Sequence, residues 1–458
     1  MRTSSDKKNH KTVTEKASGW LKKSSNVSLE EANGTIRIPK NAGFWRKFLA
    51  YAGPGSLVAV GYVDPGNWAT SIAGGARYGY LLLSVILIAN LMAMLLQSLS
   101  AKLGIVSGRD LAQATRDATG KKTATVLWIL TELAIVATDL AEVIGSAIAL
   151  SLLFGIPLLA GIAITTLDVL LLLLLQRKGF RIIESIIIVL MVTIFVVFAF
   201  EVIVAKPVVA DLLHGYVPQM EIVTNPSMLF IALGILGATV MPHNLYLHSS
   251  IVQTRQYDRT FKGKKEAVKF SIIDSTVSLT AAFLINSAIL ILGAAAFYGT
   301  GLDVSEIEAA YELLSPTLGI GIASTLFAVA LLASGQNSTI TGTLTGQIVM
   351  EGFVNLRISP WLRRLITRLI AVIPAFVVTW IAGSKGTGEL LLWSQVILSL
   401  QLPFAVVPLV LFTSNKEKMG PFVNSLPTKI IAWTITVLII ILNIFLVGYI
   451  FVTGHDLG

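Results

Sequence analysis

Cysteine is absent from the 458-residue chain, which excludes disulfides and thiolate metal sites and leaves the redox compartment open. Charge is scarce as well: Asp, Glu, Lys and Arg make up 13% of the residues, against 54% that are hydrophobic. A soluble domain of this length needs far more polar surface, so the chain reads as an all-α polytopic membrane protein. The glycine-rich run Gly335 to Gly346 lacks a Gly-Lys-Ser/Thr ending and lies in an apolar stretch, which argues against nucleotide binding. No Ser/His/Asp set or paired-carboxylate site is visible, so no enzyme is expected. No apolar signal segment precedes Phe44. The net charge of +9 does not call for nucleic acid, because the placement of the basic residues explains it.

Apolar stretches occur at about 48–75, 80–101, 124–153, 157–175, 182–204, 227–253, 268–298, 317–354, 365–382, 389–412 and 429–452, each near the length a bilayer requires. Alternate connections are basic: the N-terminal tail, the loop from Lys102 to Lys122, Arg177 to Arg181, Arg255 to Lys265, Arg357 to Arg364, and Lys416 with Lys418. The positive-inside rule then places the N-terminus in the cytoplasm and, with eleven spans, the C-terminus outside a plasma membrane. The expected division is a disordered basic tail at 1–43, a first five-helix unit at 44–205, a second at 206–413, and an eleventh helix with a short end at 414–458.

Two of the spans are interrupted. Asp64-Pro65-Gly66-Asn67 breaks the first and Met241-Pro242-His243-Asn244 the sixth, with the shared pattern x-Pro-x-Asn. Proline removes an amide donor and glycine has low helix propensity, so neither helix continues unbroken. Five spans separate the breaks, so the second unit inserts upside down relative to the first, the 5+5 inverted repeat of LeuT-like transporters. A carboxylate at membrane depth costs about 2.5–3.5 kcal/mol on insertion scales and marks a functional site.

Asp64, Asn67 and Met241 offer a carboxylate, a carboxamide and a thioether, a set that suits a cation. Mg²⁺ and Ca²⁺ gain little from sulfur, whereas softer divalent ions such as Mn²⁺, Fe²⁺ and Cd²⁺ bond it. His243 and His248 are five residues apart, which turns them roughly 140° from each other on a helix and rules out a helical zinc pair. His243 is therefore read as a pathway residue able to carry protons, and His248 as structural. Glu132, Asp139 and Glu142 share an arc of about 80° on the third span, with Arg363, Arg364 and Arg368 as candidate partners. A static ion-pair network is the competing reading of this stripe. Gln97 and Asn286 are candidate polar gates, and Asp168 and Asp274 read as structural.

These residues carry a likeness. The two breaks, the stretch Gly335-Gln336-Asn337-Ser338-Thr339-Ile340-Thr341-Gly342-Thr343 with Gly346-Gln347, Thr138 to Glu142, Ser394-Gln395 and Gln401 to Phe404 together resemble the Nramp family of divalent metal transporters. The resemblance covers residues 44 to 452 and is nearest to the bacterial proton-coupled manganese transporters. It implies metal ligation by Asp64, Asn67 and Met241 with the carbonyls of Ala238 and Gly61, the last standing where the family often has alanine. A glutamine of the tenth span joins in some states, and Gln395 is favoured over Gln401. It also implies a proton route from Asp64 and His243 through Asp139 and Glu142.

The expected function is proton-coupled import of Mn²⁺, with Fe²⁺ and Cd²⁺ as further substrates and no cofactor beyond the transported metal and H⁺. The expected partners are those ions and the lipid bilayer, with neither nucleic acid nor nucleotide, and a monomer suffices. The rivals are a Mg²⁺ transporter on the same fold, a passive cation channel, and a metal-sensing receptor, which would be expected to carry a large soluble output domain.

Overall fold

The structure is a computed structural model that describes residues 32–39, 41–167, 180–300, 307–319, 321–356 and 358–453. It is helical almost throughout. In chain order the helices are α1 (Phe44–Tyr51), α2 (Pro54–Gly61), α3 (Pro65–Tyr78), α4 (Leu83–Ser107), α5 (Leu111–Ala118), α6 (Lys121–Phe154), α7 (Leu158–Thr165), α8 (Phe180–Ala205) and α9 (Val209–Gly215). They continue with α10 (Glu221–Thr224), α11 (Pro226–Val240), α12 (Pro242–Ile251), α13 (Phe261–Phe297), α14 (Ile307–Leu318), α15 (Ala323–Val354), α16 (Pro360–Ser414), α17 (Lys416–Met419) and α18 (Leu426–Thr453).

Among the described residues eight stretches are long and apolar enough to cross a membrane. The three other expected spans differ for identifiable reasons. The first is cut into α1, α2 and α3, none of which is long enough alone. The fourth is described only as far as Leu167, so Asp168 and the basic pair Arg177-Lys178 lie outside the described residues, as do residues 1–31 and the C-terminal His455 and Asp456. The eighth, α15, is 32 residues long but carries the Ser, Thr, Asn and Gln of its glycine-rich run, which lower its hydropathy.

Helix starts follow their sequence signals. Pro65, Pro226 and Pro242 each sit in a first turn, where a missing amide costs nothing, and the side chains of Asp64 and Asn225 accept the free amides behind them. Asp110 and Gln113 cap α5 reciprocally. Inside α16 the expected loop between the ninth and tenth spans shrinks to a kink at Gly383, whose φ of 62° and ψ of −149° interrupt the helical path.

Two features were not expected. The first span has an additional break at Ala52 and Gly53, and the amides of Gly53 and Gly55 donate to Asp274 of α13 at 3.3 and 2.7 Å. Residues inside the stretch expected to be disordered form a two-residue strand, β1 (Ile36–Arg37), parallel to β2 (Arg255–Gln256). Next to this ladder, Arg255 pairs with Glu184 of α8 at 2.6 Å and donates to the carbonyl of Ala52 at 2.6 Å. Arg181 donates to Glu184 and to the carbonyls of Leu49 and Ala52, which closes this end of the bundle around the α1–α2 junction.

The second interrupted span is the axis of the molecule. The most apolar window of Pro226–Thr254 is 100% buried, against 28% for Leu426–Tyr449 and 28% for Leu362–Gly383, so α11 and α12 are surrounded by protein while α18 and the first half of α16 present much of their surface outward. α18 is nevertheless pinned to α16. Pro403 has no amide to give the carbonyl of Ser399, and Asn443 of α18 donates to that carbonyl at 3.1 Å while accepting from the Ser399 hydroxyl at 3.1 Å. Replacing Asn443 by leucine takes away the partner of both groups in a buried interface, at about 1–3 kcal/mol each. The midpoint of thermal unfolding in detergent should fall clearly for Asn443→Leu, and an unchanged midpoint would show that the pin contributes nothing.

Candidate metal centre and acid–base network

The first break spans Tyr62 to Asp64. Its loosened carbonyls are satisfied from three other helices or turns: Asn286 donates to the carbonyl of Tyr62 at 2.7 Å, Trp68 donates to that of Val63 at 3.2 Å, and the Ser334 hydroxyl also donates to Val63. Asp64 caps α3, accepting at Oδ1 from the backbone amide of Asn67 at 2.8 Å and from its Nδ2 at 2.8 Å. The same Asn67 Nδ2 donates to the carbonyl of Ala238 at 3.0 Å, so one amide ties the first break to the second. At the second break Met241 has φ 26° and ψ 102°, a left-handed conformation that a non-glycine residue holds at a cost of about 1–3 kcal/mol.

The neighbours of the breaks are now assignable. A Cβ on Gly66 would run into the Gln395 side chain, so Gln395 lies directly against the first break. Gln401 instead donates to Thr131 of α6 at 3.2 Å. A Cβ on Gly61 would meet the amide of Asn244, which places Gly61 against the second break. Several buried atoms around the two breaks have no hydrogen-bond partner: Asp64 Oδ2, Thr239 Oγ1, Asn244 Oδ1 and Gln395 Oε1. Those four are oxygens, that of Thr239 a hydroxyl that can also donate, and His243 Nδ1 at the second break is unpaired as well. Among the described residues no cluster of three His, Cys, Asp or Glu exists, and Asp64 is the carboxylate at the breaks.

Gln97 donates to the Tyr62 hydroxyl at 2.8 Å and faces His248 Nδ1 at 3.0 Å, which joins α4 and α12 to the turn after α2. His248 and Asp274 are thus tied into the packing, one to Gln97 and one to the Gly53 and Gly55 amides. His243 is buried and its Nδ1 has no partner.

The acid stripe of α6 meets the arginines of α16. Arg364 donates to Asp139 and, at 2.8 Å, to Glu142. Arg368 donates to the Asp139 carbonyl at 3.3 Å and to Glu142 at 3.4 Å, and Thr339 of α15 donates to Glu142 at 3.1 Å. These two acids and two arginines are at most 1% exposed and balance in charge. Arg363 grips Glu132 at 2.6 and 2.8 Å nearer the surface, with Trp128 donating to the same carboxylate at 3.0 Å. The glycine-rich run of α15 makes room for this: a Cβ on Gly346 would occupy the place of the Arg363 guanidinium. Sequence periodicity found the acids and their partners; it could not find Thr339, Ser334 or Trp68, which act through contacts between helices. The Glu184–Arg255 pair carried no signal beyond two charges near span ends.

A family model described as natural resistance-associated macrophage protein-like matches residues 55–448. The divalent metal cation transporter MntH of Listeria welshimeri serovar 6b is 65% identical over 443 residues, which is 96% of this chain and 99% of that protein. A crystal structure of the Eremococcus coleocola manganese transporter, in complex with an aromatic bis-isothiourea compound, is 47% identical with a TM-score of 0.86 over 92% of this chain and 90% of that one. The fold alone is shared with Mhp1, a nucleobase-cation-symport-1 family transporter, at 16% identity and a TM-score of 0.57 over 83% of this chain and 80% of that one.

Removing one member of a buried ion-pair set strands the others and costs about 3–5 kcal/mol, whereas neutralising both signs costs much less. Arg364→Met should therefore lower the thermal midpoint strongly, and Asp139→Asn combined with Arg364→Met should recover part of the loss. Failure of the double variant to recover anything would mean that packing, not charge, sets the effect.

Proposed function

The chain belongs to the Nramp family, and from that premise we propose that it is a proton-coupled secondary transporter that imports Mn²⁺, with Fe²⁺ and Cd²⁺ as further substrates. The observation that carries the reading is a set of unpaired carbonyl and carboxylate oxygens on residues at or against the breaks, Asp64 Oδ2, Gln395 Oε1 and Asn244 Oδ1, with the Met241 thioether 3.5 Å from the Asn244 amide. Acceptors in surplus over donors make a buried place where a cation is stabilised. Asn67 Nδ2 now lies between Asp64 and the Ala238 carbonyl, where it supplies the positive edge that a metal would supply when bound. Turning that amide over presents its oxygen to the metal.

In this reading Asp64, Asn67, Met241 and the Ala238 carbonyl are ligands, with the Gly61 carbonyl and Gln395 joining in some states. Metal and proton compete for the Asp64 carboxylate, which couples their movements. His243, Asp139 and Glu142 pass the proton on, with Glu132, Arg363, Arg364 and Arg368 setting the field along the route. Gln97 and Asn286 hold the Tyr62 turn and act as polar gates. Alternating access follows from rocking between two five-helix inverted repeats in an eleven-helix, LeuT-like protein. The basic connections support a cytoplasmic N-terminus and an external C-terminus in a plasma membrane. One chain holds every proposed ligand, so a monomer suffices.

The thioether separates this reading from Mg²⁺ transport, since a hard ion must exchange a water for a poor ligand. In proteoliposomes the native protein should take up Mn²⁺ in the presence of about a hundredfold excess of Ca²⁺ or Mg²⁺, and Met241→Ala should be inhibited by that excess. Equal behaviour of the two proteins would remove Met241 from selectivity and favour the Mg²⁺ reading.

Proton coupling has its own test. An inward pH gradient should accelerate Mn²⁺ entry, and entry should acidify the lumen. Glu142→Gln should reduce acidification more than metal entry, because the residue lies on the proton route and not at the breaks. Equal loss of both would place Glu142 in the architecture only.

A further inference from the structure

The x-Pro-x-Asn pattern recurs at both breaks, and the two asparagines make parallel sets of contacts. Asn67 reaches back to the side chain of its own cap residue, Asp64, and across to a carbonyl of the other broken helix, that of Ala238. Asn244 reaches back to the sulfur of its own cap residue, Met241, with Nδ2 3.5 Å from Sδ, and across to the carbonyl of Val58 on α2 at 3.4 Å. It is fully buried, and its Oδ1 has no partner. A Cβ on Gly61 would strike this amide, so the glycine three residues before Asp64 is the complement of Asn244.

We propose that Asn244 is a positioning residue for metal selectivity: its amide fixes the Met241 thioether toward the centre, and Gly61 provides the space it needs. The inference rests on the reading of Met241 as a metal ligand. A methionine side chain turns about three bonds and otherwise loses that freedom only when metal binds. Donation from Nδ2 occupies one sulfur lone pair, leaving the other for a soft cation, and ordering is complete before the metal arrives. Selectivity for soft over hard ions then depends on Asn244 as well as on the sulfur itself.

The test measures Cd²⁺ and Mn²⁺ binding by calorimetry, with Ca²⁺ inhibition of Mn²⁺ uptake in proteoliposomes, for the native chain, Met241→Ala, Asn244→Leu and the double variant. Leucine keeps the shape of asparagine and removes the N–H. Asn244→Leu should weaken Cd²⁺ by about five- to tenfold, the value of ordering one flexible side chain, and Mn²⁺ by less. Ca²⁺ should inhibit it at lower concentrations than the native protein. In the Met241→Ala background the same substitution should leave the Cd²⁺/Mn²⁺ ratio where Met241→Ala put it. Should Asn244→Leu fail to fold, Asn244→Ala removes the same N–H without adding bulk and should give the same ratio change. A ratio lost in Met241→Ala but intact in Asn244→Leu overturns this inference alone. A ratio unaltered by Met241→Ala overturns the thioether reading and this inference with it. Equal weakening of Cd²⁺ and Mn²⁺, or a full additional ratio change in the double variant, also overturns it.

Discussion

The side-chain amide of Asn67 is the contact on which the centre depends. It holds the carboxylate of one broken helix and a carbonyl of the other with a single nitrogen, at 2.8 and 3.0 Å. Backbone opened inside a low-dielectric bundle must find partners in the protein, and here it finds them in Asn67, Asn286, Trp68 and Ser334. The residues of both breaks are buried. Among the atoms left unpaired there are the carbonyl and carboxylate oxygens of Asp64, Asn244 and Gln395, acceptors without donors in a buried place.

Charge is handled differently one layer away. Asp139, Glu142, Arg364 and Arg368 are buried together and neutral as a set, so the energy of each depends on the protonation of the others. Oδ2 of Asp139 and Oε1 of Glu142 have no hydrogen-bond partner, although the opposite oxygen of each carboxyl is held by arginine. An acid with one oxygen fixed and one free keeps its position while its proton comes and goes. The single carboxylate at the breaks and the balanced set on α6 and α16 are therefore different electrostatic arrangements: among the described residues one acid stands without a basic partner, and two acids share two arginines.

Much of this was legible in the sequence because it lay in local patterns. The proline-containing breaks, the periodic acids of α6 and the basic ends of spans are properties of single segments, and each corresponds to an observed break, helix face or pairing. Contacts between segments were not legible. Nothing in the spacing of Gly346 announces that it holds space for Arg363, nor does Ser334 announce that it serves Val63, since each needs a second helix at a particular height. The extra break at Gly53 escaped because a glycine within an apolar run reads equally well as a packing residue. That Gln395 lies against Gly66 while Gln401 turns to Thr131 depends on the helix phase against α3, which sequence alone does not supply.

The repeat at the two breaks shows how one local design yields two chemical results. In both, proline opens a helix and the asparagine two residues later turns back on the residue before the proline. With aspartate in that place, the asparagine steadies an anion that also caps α3. With methionine, no cap bond forms, φ lies in the left-handed region, and the asparagine steadies a sulfur. Hydrogen bonding to a carboxylate is strong enough to hold it by itself, whereas a thioether is a weak acceptor and needs the close wall of Gly61 and Val58 to keep the amide against it. The carboxylate is thus held by charge and the sulfur by fit.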